Sequence, residues 1–156
     1  MPVKSAQQWS VGDLFAVELI DGRCSLGQVL DVSIPHTATC AFLSTLAPTV
    51  DAIRHIQPVA GDVIGTATVV DAHLDRGEWK VISRFPLLLT REQWPNESTR
   101  DKEWVGSKVY TGSILEDFLN AYNGLAPWDK FHDPNYLDRI LISPMKKPSG
   151  LIYTKR

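Results

Sequence analysis

Only two cysteines, Cys24 and Cys40, occur in the chain, and their spacing is not that of metal ligands. Both read as core thiols of a protein in a reducing compartment, without a disulfide. The four histidines, His36, His55, His73 and His132, are scattered. None forms the i, i+4 pair that puts two ligands on one helix face, so no metal site is indicated. GxSxG, HExxH and the Walker motif are missing too, because each needs glycines, histidines or a lysine at spacings this chain lacks. No cofactor and no catalytic residue are expected. The opening MPVKSAQQ lacks the apolar run of a signal peptide, and no later run approaches the ~18 apolar residues of a membrane span. A cytoplasmic protein with no membrane partner is the expectation. There is no repeat or low-complexity tract, and 156 residues at 44% hydrophobic suit a single domain over residues 1–156.

A strongly basic balance is also lacking. The net charge of −2 divides into −5 for residues 1–75 and +3 for the remainder. An acidic half repels a phosphate backbone and attracts basic proteins.

What is present begins at Gly12–Val32, GDLFAVELIDGRCSLGQVLDV, two β-rich runs around Asp21-Gly22. Asp-Gly suits a two-residue type I′ turn, which would set Ile20 opposite Arg23, Leu19 opposite Cys24, Val17 opposite Leu26 and Phe15 opposite Gln28. Alternation then gathers Phe15, Val17, Leu19, Cys24, Leu26 and Leu30 on a core face, with Gln28 its only polar member. A lone hairpin is at best marginally stable, so later elements must cover that face.

Strands are expected at Ala38–Leu46, at Asp62–Ala72 with Gly65 a bulge or a place of close backbone approach, and at Glu78–Phe85, the last two as a second hairpin. A short helix is expected within Pro48–Ala60, where Val50, Ile53 and Ile56 are spaced by three. Pro86–Lys102 reads as an exposed loop, and Trp104–Tyr110 as a short sixth strand. The period then changes to 3.6. Ser113 and Glu116 have capping-box spacing, Ile114, Leu115, Phe118, Leu119 and Tyr122 form a stripe, and Gly124 ends the helix with Leu125 packing back. A second helix is expected from Asp133-Pro134, with Leu137, Ile140 and Leu141 on one face and Pro144 as its stop. The fold class is α+β: a strongly bent antiparallel sheet or small barrel of about five to six strands, followed by two C-terminal helices.

The nearest approach to an acid/base cluster is Asp71, His73, Asp75 and Glu78, whose alternate members would share a face at a strand end. No nucleophile accompanies it, and turns collect such residues, so a solvated turn is the simpler reading. A small SH3-like barrel binding nucleic acid or another protein is the alternative, but the first hairpin sets only Arg23 against Asp13, Glu18, Asp21 and Asp31.

Several stretches carry a family likeness. Trp9–Val32, with GDLFAVELIDGR followed by LGQVL, then Gly77–Ile82 (GEWKVI) with Pro86, FLNAYNGLAPWD over Phe118–Asp129, and Tyr136–Leu141 occur in this order in the immunity protein 26 family, which the chain resembles over most of its length. Cys24 and Ser83 stand where that family often has an aromatic and a glycine. The resemblance implies a non-catalytic protein, found beside toxin genes in bacterial polymorphic-toxin systems, that binds a cognate toxin and blocks it inside the producing cell. A basic toxin such as a nuclease would be drawn by Glu18, Asp21 and Asp31. Trp94, a large aromatic in a polar loop, is either a plug into the core or the anchor of that partner surface.

Overall fold

The computed structural model describes residues 7–154. Its strands are β1 (Asp13–Glu18), β2 (Cys24–Asp31), β3 (Thr37–Ala47), β4 (Val63–Val70), β5 (Lys80–Arg84) and β6 (Val109–Tyr110), with short helices α1 (Val50–Ile53) and α2 (Ala72–Asp75) and an eleven-residue helix α3 (Gly112–Tyr122). They form one sheet in the order β5-β1-β2-β3-β4-β6, antiparallel except where β6 runs parallel to β4. The class is α+β. The edge strands β5 and β6 do not pair with one another, so the sheet is open and the barrel expectation is corrected.

The leading hairpin forms, but one residue out of the expected register. Leu19 N–H donates to the Arg23 carbonyl at 2.7 Å and Gly22 N–H to the Leu19 carbonyl at 2.9 Å, with Gly22 at φ 89°. The loop is therefore Ile20-Asp21-Gly22, the three-residue form that closes on a left-handed glycine. Phe15 now faces Gly27 and Glu18 faces Cys24. A one-residue slip turns every β2 side chain to the other face. Phe15, Val17 and Leu19 join Val29, Cys40, Phe42 and Trp79 on one side, while Cys24, Leu26 and Leu30 join Leu14 and Ala16 on the other. Phe15 stacks on Trp79 at 5.2 Å, and its ring lies over Gly27, where an added Cβ would sit 2.5 Å from it. Only glycine allows that approach.

Both faces of the sheet are consequently buried. The first is covered by α3 and the segment after it, through Leu115, Phe118, Leu119, Trp128, Leu137 and Ile140. The second is covered by α1, through Ile53, and by Leu88, Leu89 and Trp94, so the stretch expected to be an exposed loop is partly a lid on the core.

Three further expectations are corrected. β4 and β5 do not form a hairpin, because the residues between them make a helical turn, with Asp75 N–H donating to the Asp71 carbonyl at 2.9 Å and Gly77 at φ 77° closing it. β5 instead pairs with β1, which brings Trp79 onto Phe15. The box at Ser113 is not formed, since α3 starts at Gly112 with Thr111 as N-cap and no side-chain capping bond. At its other end Gly124, at φ 73°, and the bonds Leu125 N–H to Asn120 C=O and Gly124 N–H to Ala121 C=O complete the expected Schellman stop. The second C-terminal helix is only a 3₁₀ turn, Tyr136–Arg139. Helix propagation ends there because the Ile140 carbonyl accepts from Thr66 N–H at 3.0 Å and Ile142 N–H donates to Ile64 at 2.9 Å, so the chain pairs with the edge of β4. Gly65 permits this close approach, as expected: a Cβ there would lie 2.8 Å from the Ile140 oxygen.

The thiols behave as core groups. Cys24 and Cys40 are free, buried and on opposite faces of the sheet, and Cys24 lies opposite Glu18 rather than Leu19. Burial pushes both thiols up, and Glu18 raises Cys24 further. A thiol-specific reagent at pH 8 is expected to label neither in the native protein and both in denaturant; rapid native labelling of either would contradict this placement.

Candidate functional site

The four residues assigned to a partner surface from sequence are not brought together. Asp21 is at the exposed hairpin tip, where the Arg23 N–H at 3.1 Å and guanidinium at 2.6 Å hold its carboxyl below its ordinary value. Asp31 is half-buried and tied down within the chain. Arg100 donates to it at 3.1 Å and Ser33 Oγ at 2.9 Å, while Arg100 also pairs with Glu97 and lies over the Trp104 ring at 4.6 Å. Burial of Glu97 would raise its carboxyl, but the bonds from Arg100 and Arg91 outweigh this and lower it. Asp31 therefore anchors the 97–104 segment to the end of β2. Trp94 packs against the Leu14–Leu26–Leu89 cluster, and its buried Nε1 has no hydrogen-bond partner among the described residues, which is the geometry of a plug.

Glu18 differs from these. It ends β1 in an exposed position and has no ion-pair partner among the described residues. With Leu19, Ile20, Glu116 and Asn120 it lines an open groove of about 330 Å³ between the hairpin and α3. Ile20, the first residue of the hairpin loop, is 70% exposed. Asn120, buried on α3, fixes the two walls: its Oδ1 accepts from Ile20 N–H at 2.9 Å and its Nδ2 donates to the Glu116 carbonyl at 2.9 Å.

Of the acid/base residues noted in the sequence, His73 adjoins Glu116 of this groove, and Asp75 is held by another part of the chain. Asp75 accepts from Trp9 Nε1 at 2.7 Å. His73 is buried on α2, its ring against the Gly112 backbone and 5.3 Å from the Trp79 ring. Its Nε2 stands 3.7 Å from Glu78 and 3.6 Å from Glu116. Glu116 Oε2 also accepts from Trp79 Nε1 at 3.3 Å, and Glu78 pairs with Arg76. Glu18 of β1 and Glu116 of α3 make an acidic rim to the groove, and Glu116 with Glu78, from the turn before β5, flanks the buried imidazole. In the sequence Glu116 reads as a helix-cap residue; its spacing from Phe118 and Leu119, which puts it off the apolar stripe of α3, is the signal that it faces outward. Among the described residues no three His, Cys, Asp or Glu groups are placed to hold a metal ion, and no helix is long and apolar enough to cross a membrane.

No protein-family model, curated protein or solved structure matches the chain.

Proposed function

We propose that this chain is a non-catalytic immunity protein of the cytoplasm that binds a cognate bacterial toxin and neutralises it in the producing cell. The observation that carries the reading is the acidic rim, where Glu18 and Glu116 flank the protruding Ile20. An exposed aliphatic knob among carboxylates is the composition of a contact patch for a basic protein, with the apolar group desolvated at the centre and charge steering the approach. The order of motifs shared with the immunity protein 26 family supports the same reading. A complex of this kind buries ~1,600 Å², so the rim would be the centre of a larger surface.

Of the carboxylates named from sequence, Glu18 remains in this role, joined by Glu116. Asp21 and Asp31 are neutralised within the chain, and Trp94 gives way to Ile20 as the apolar anchor. The test is co-expression with the toxin domain encoded beside the gene. The expected result is restored growth and a stable purified complex, with Glu18→Lys slowing association and flattening its salt dependence. Growth arrest persisting while both proteins accumulate, with no complex between them, would refute the proposal.

A further inference from the structure

We infer that the groove at the start of β1, headed by the Arg84 guanidinium, docks a protein segment in which an acidic side chain stands beside a large apolar one. The groove lies at the opposite end of β1 from Glu18, and the inference does not depend on the reading of the chain as a toxin-binding protein. Three observations carry it.

The first is an apolar surface that the fold holds open. Val11, Phe85, Pro86 and Leu87 line a groove of about 470 Å³, and Gly12 contributes no side chain to fill it. The chain leaving β5 divides here: Leu88 and Leu89 pack into the second core face, while Leu87 is 42% exposed. Leu87 is not free to turn inward. The buried Gln28 amide donates to the carbonyls of Phe85 and Pro86 and accepts from Leu88 N–H, so the backbone on both sides of Leu87 is fixed from beneath. A preformed apolar surface of this kind needs little ordering when a partner covers it.

The second is a cation held in place with donors to spare. Arg84 Nη2 donates to Ser10 Oγ at 3.1 Å and to the Val11 carbonyl at 3.0 Å, which fixes the guanidinium beside the groove. Nε and Nη1 make no hydrogen bond among the described residues, so three of the five N–H groups remain open. The Asp13 carboxylate does not take them: it stands 3.9 Å from Nε, beyond hydrogen-bond reach, and its Oδ2 accepts from Ser10 N–H at 2.8 Å. Arg84 is the one charged residue lining the groove, and a planar fork of donors is matched best by a carboxylate. Asp13 offsets part of the charge, so recognition needs the apolar surface as well as the fork.

The third separates a protein segment from other carriers of a carboxylate. The groove is shallow and open, so the chain of a small apolar acid would stay largely in water, whereas a protein segment brings surface of its own to cover Pro86 and Leu87. Strand addition is not the mode. On β5, at the edge of the sheet, Val81 N–H is taken by Gln7 Oε1 at 2.8 Å and the Ile82 carbonyl by Arg54 at 3.3 Å, so the segment is held by its side chains rather than by extending the sheet.

The test uses ¹⁵N-labelled full-length protein titrated with acetyl-Gly-Glu-Leu-Gly-amide, with the peptides carrying Gln for Glu and Gly for Leu as controls. Saturable shifts are expected at the Gly12 and Leu87 amides and at Arg84 Nε–H with the Glu-Leu peptide, and binding about tenfold weaker with either control. Arg84→Gln removes the fork and Leu87→Ser the apolar contact. Each should weaken binding of the Glu-Leu peptide about tenfold, while the remaining spectrum shows that the fold is kept. Octanoate, a carboxylate on an apolar chain, should give no saturable shift. No saturable shift at the Gly12 and Leu87 amides with the Glu-Leu peptide, an equal response to the Gln peptide, or binding that survives Arg84→Gln overturns the inference. Octanoate bound as tightly as the peptide would assign the groove to a small apolar acid and overturn it as well.

Discussion

Phe118→Ala is expected to lower the free energy of unfolding by about 3–5 kcal/mol, the range for a fully buried aromatic cut to alanine. Phe118 is completely buried at the middle of α3 and meets Trp128 at 5.7 Å and Tyr122 at 6.2 Å between ring centroids. The far end of the ring rests on β4 at Gly65, where a Cβ would come within 3.0 Å of it. The surroundings cannot relax into the space. Gly65 has no side chain to offer, and the Ile140 carbonyl beside it is held by Thr66 N–H. The cavity term is therefore retained almost in full rather than lost by collapse. Urea denaturation measures the change directly, as a shift in midpoint at unaltered slope. An unchanged midpoint, combined with loss of toxin neutralisation, would mean that Phe118 faces a partner and that α3 does not cover the sheet.

That burial was legible in the sequence, because the stripe of α3 repeats with the helical period and Gly124 and Leu125 mark its end. Strand positions were legible for a similar reason: β3, β4 and β5 lie within a residue or two of the β-branched runs that announced them. Register was not. Asp21-Gly22 fits both a two-residue and a three-residue loop, and the choice is made by contacts far away in sequence, Phe15 over Gly27 and Trp79 on Phe15. Local propensity holds no information about them. The same limit applies to the 3₁₀ turn at Tyr136–Arg139, which had good helix signals at both ends and was overridden by pairing with β4. Of the candidate site, Glu18 was legible from the acidic first half. Its partner Glu116 comes from another element, and nothing local in the sequence favours Glu18 over Asp31, whose charge is cancelled by an arginine from a distant loop.

Gln28→Leu should cost about 2–4 kcal/mol, although leucine is of similar size and matches the apolar neighbours. The sequence marked Gln28 as the lone polar group on a core face, and the structure explains its presence. It is fully buried on β2, and its amide bonds the chain between β5 and Leu89: Nε2 donates to the carbonyls of Phe85 at 3.0 Å and Pro86 at 3.1 Å, and Oε1 accepts from Leu88 N–H at 2.9 Å. Leucine would leave these backbone groups without partners, at about 1–3 kcal/mol for each that water cannot reach. It would also release Leu88 and Leu89 from the second core face. Gln28→Glu separates hydrogen bonding from packing. A carboxylate there keeps the acceptor for Leu88 N–H but faces the carbonyl oxygens of Gly12, Phe85 and Pro86 in a buried position, so its folded-state pKa must rise above the unfolded value. For a group raised in this direction, stability is present below the unfolded pKa and is lost as pH rises through the folded one. The Glu variant should therefore be closest to the native protein near pH 4, where the protonated acid can donate as the amide does, and weakest at pH 7. Thermal unfolding of both variants beside the native protein across that range decides the matter. A Glu variant whose deficit does not grow between pH 4 and pH 7 would show that Gln28 fills space and holds no loop.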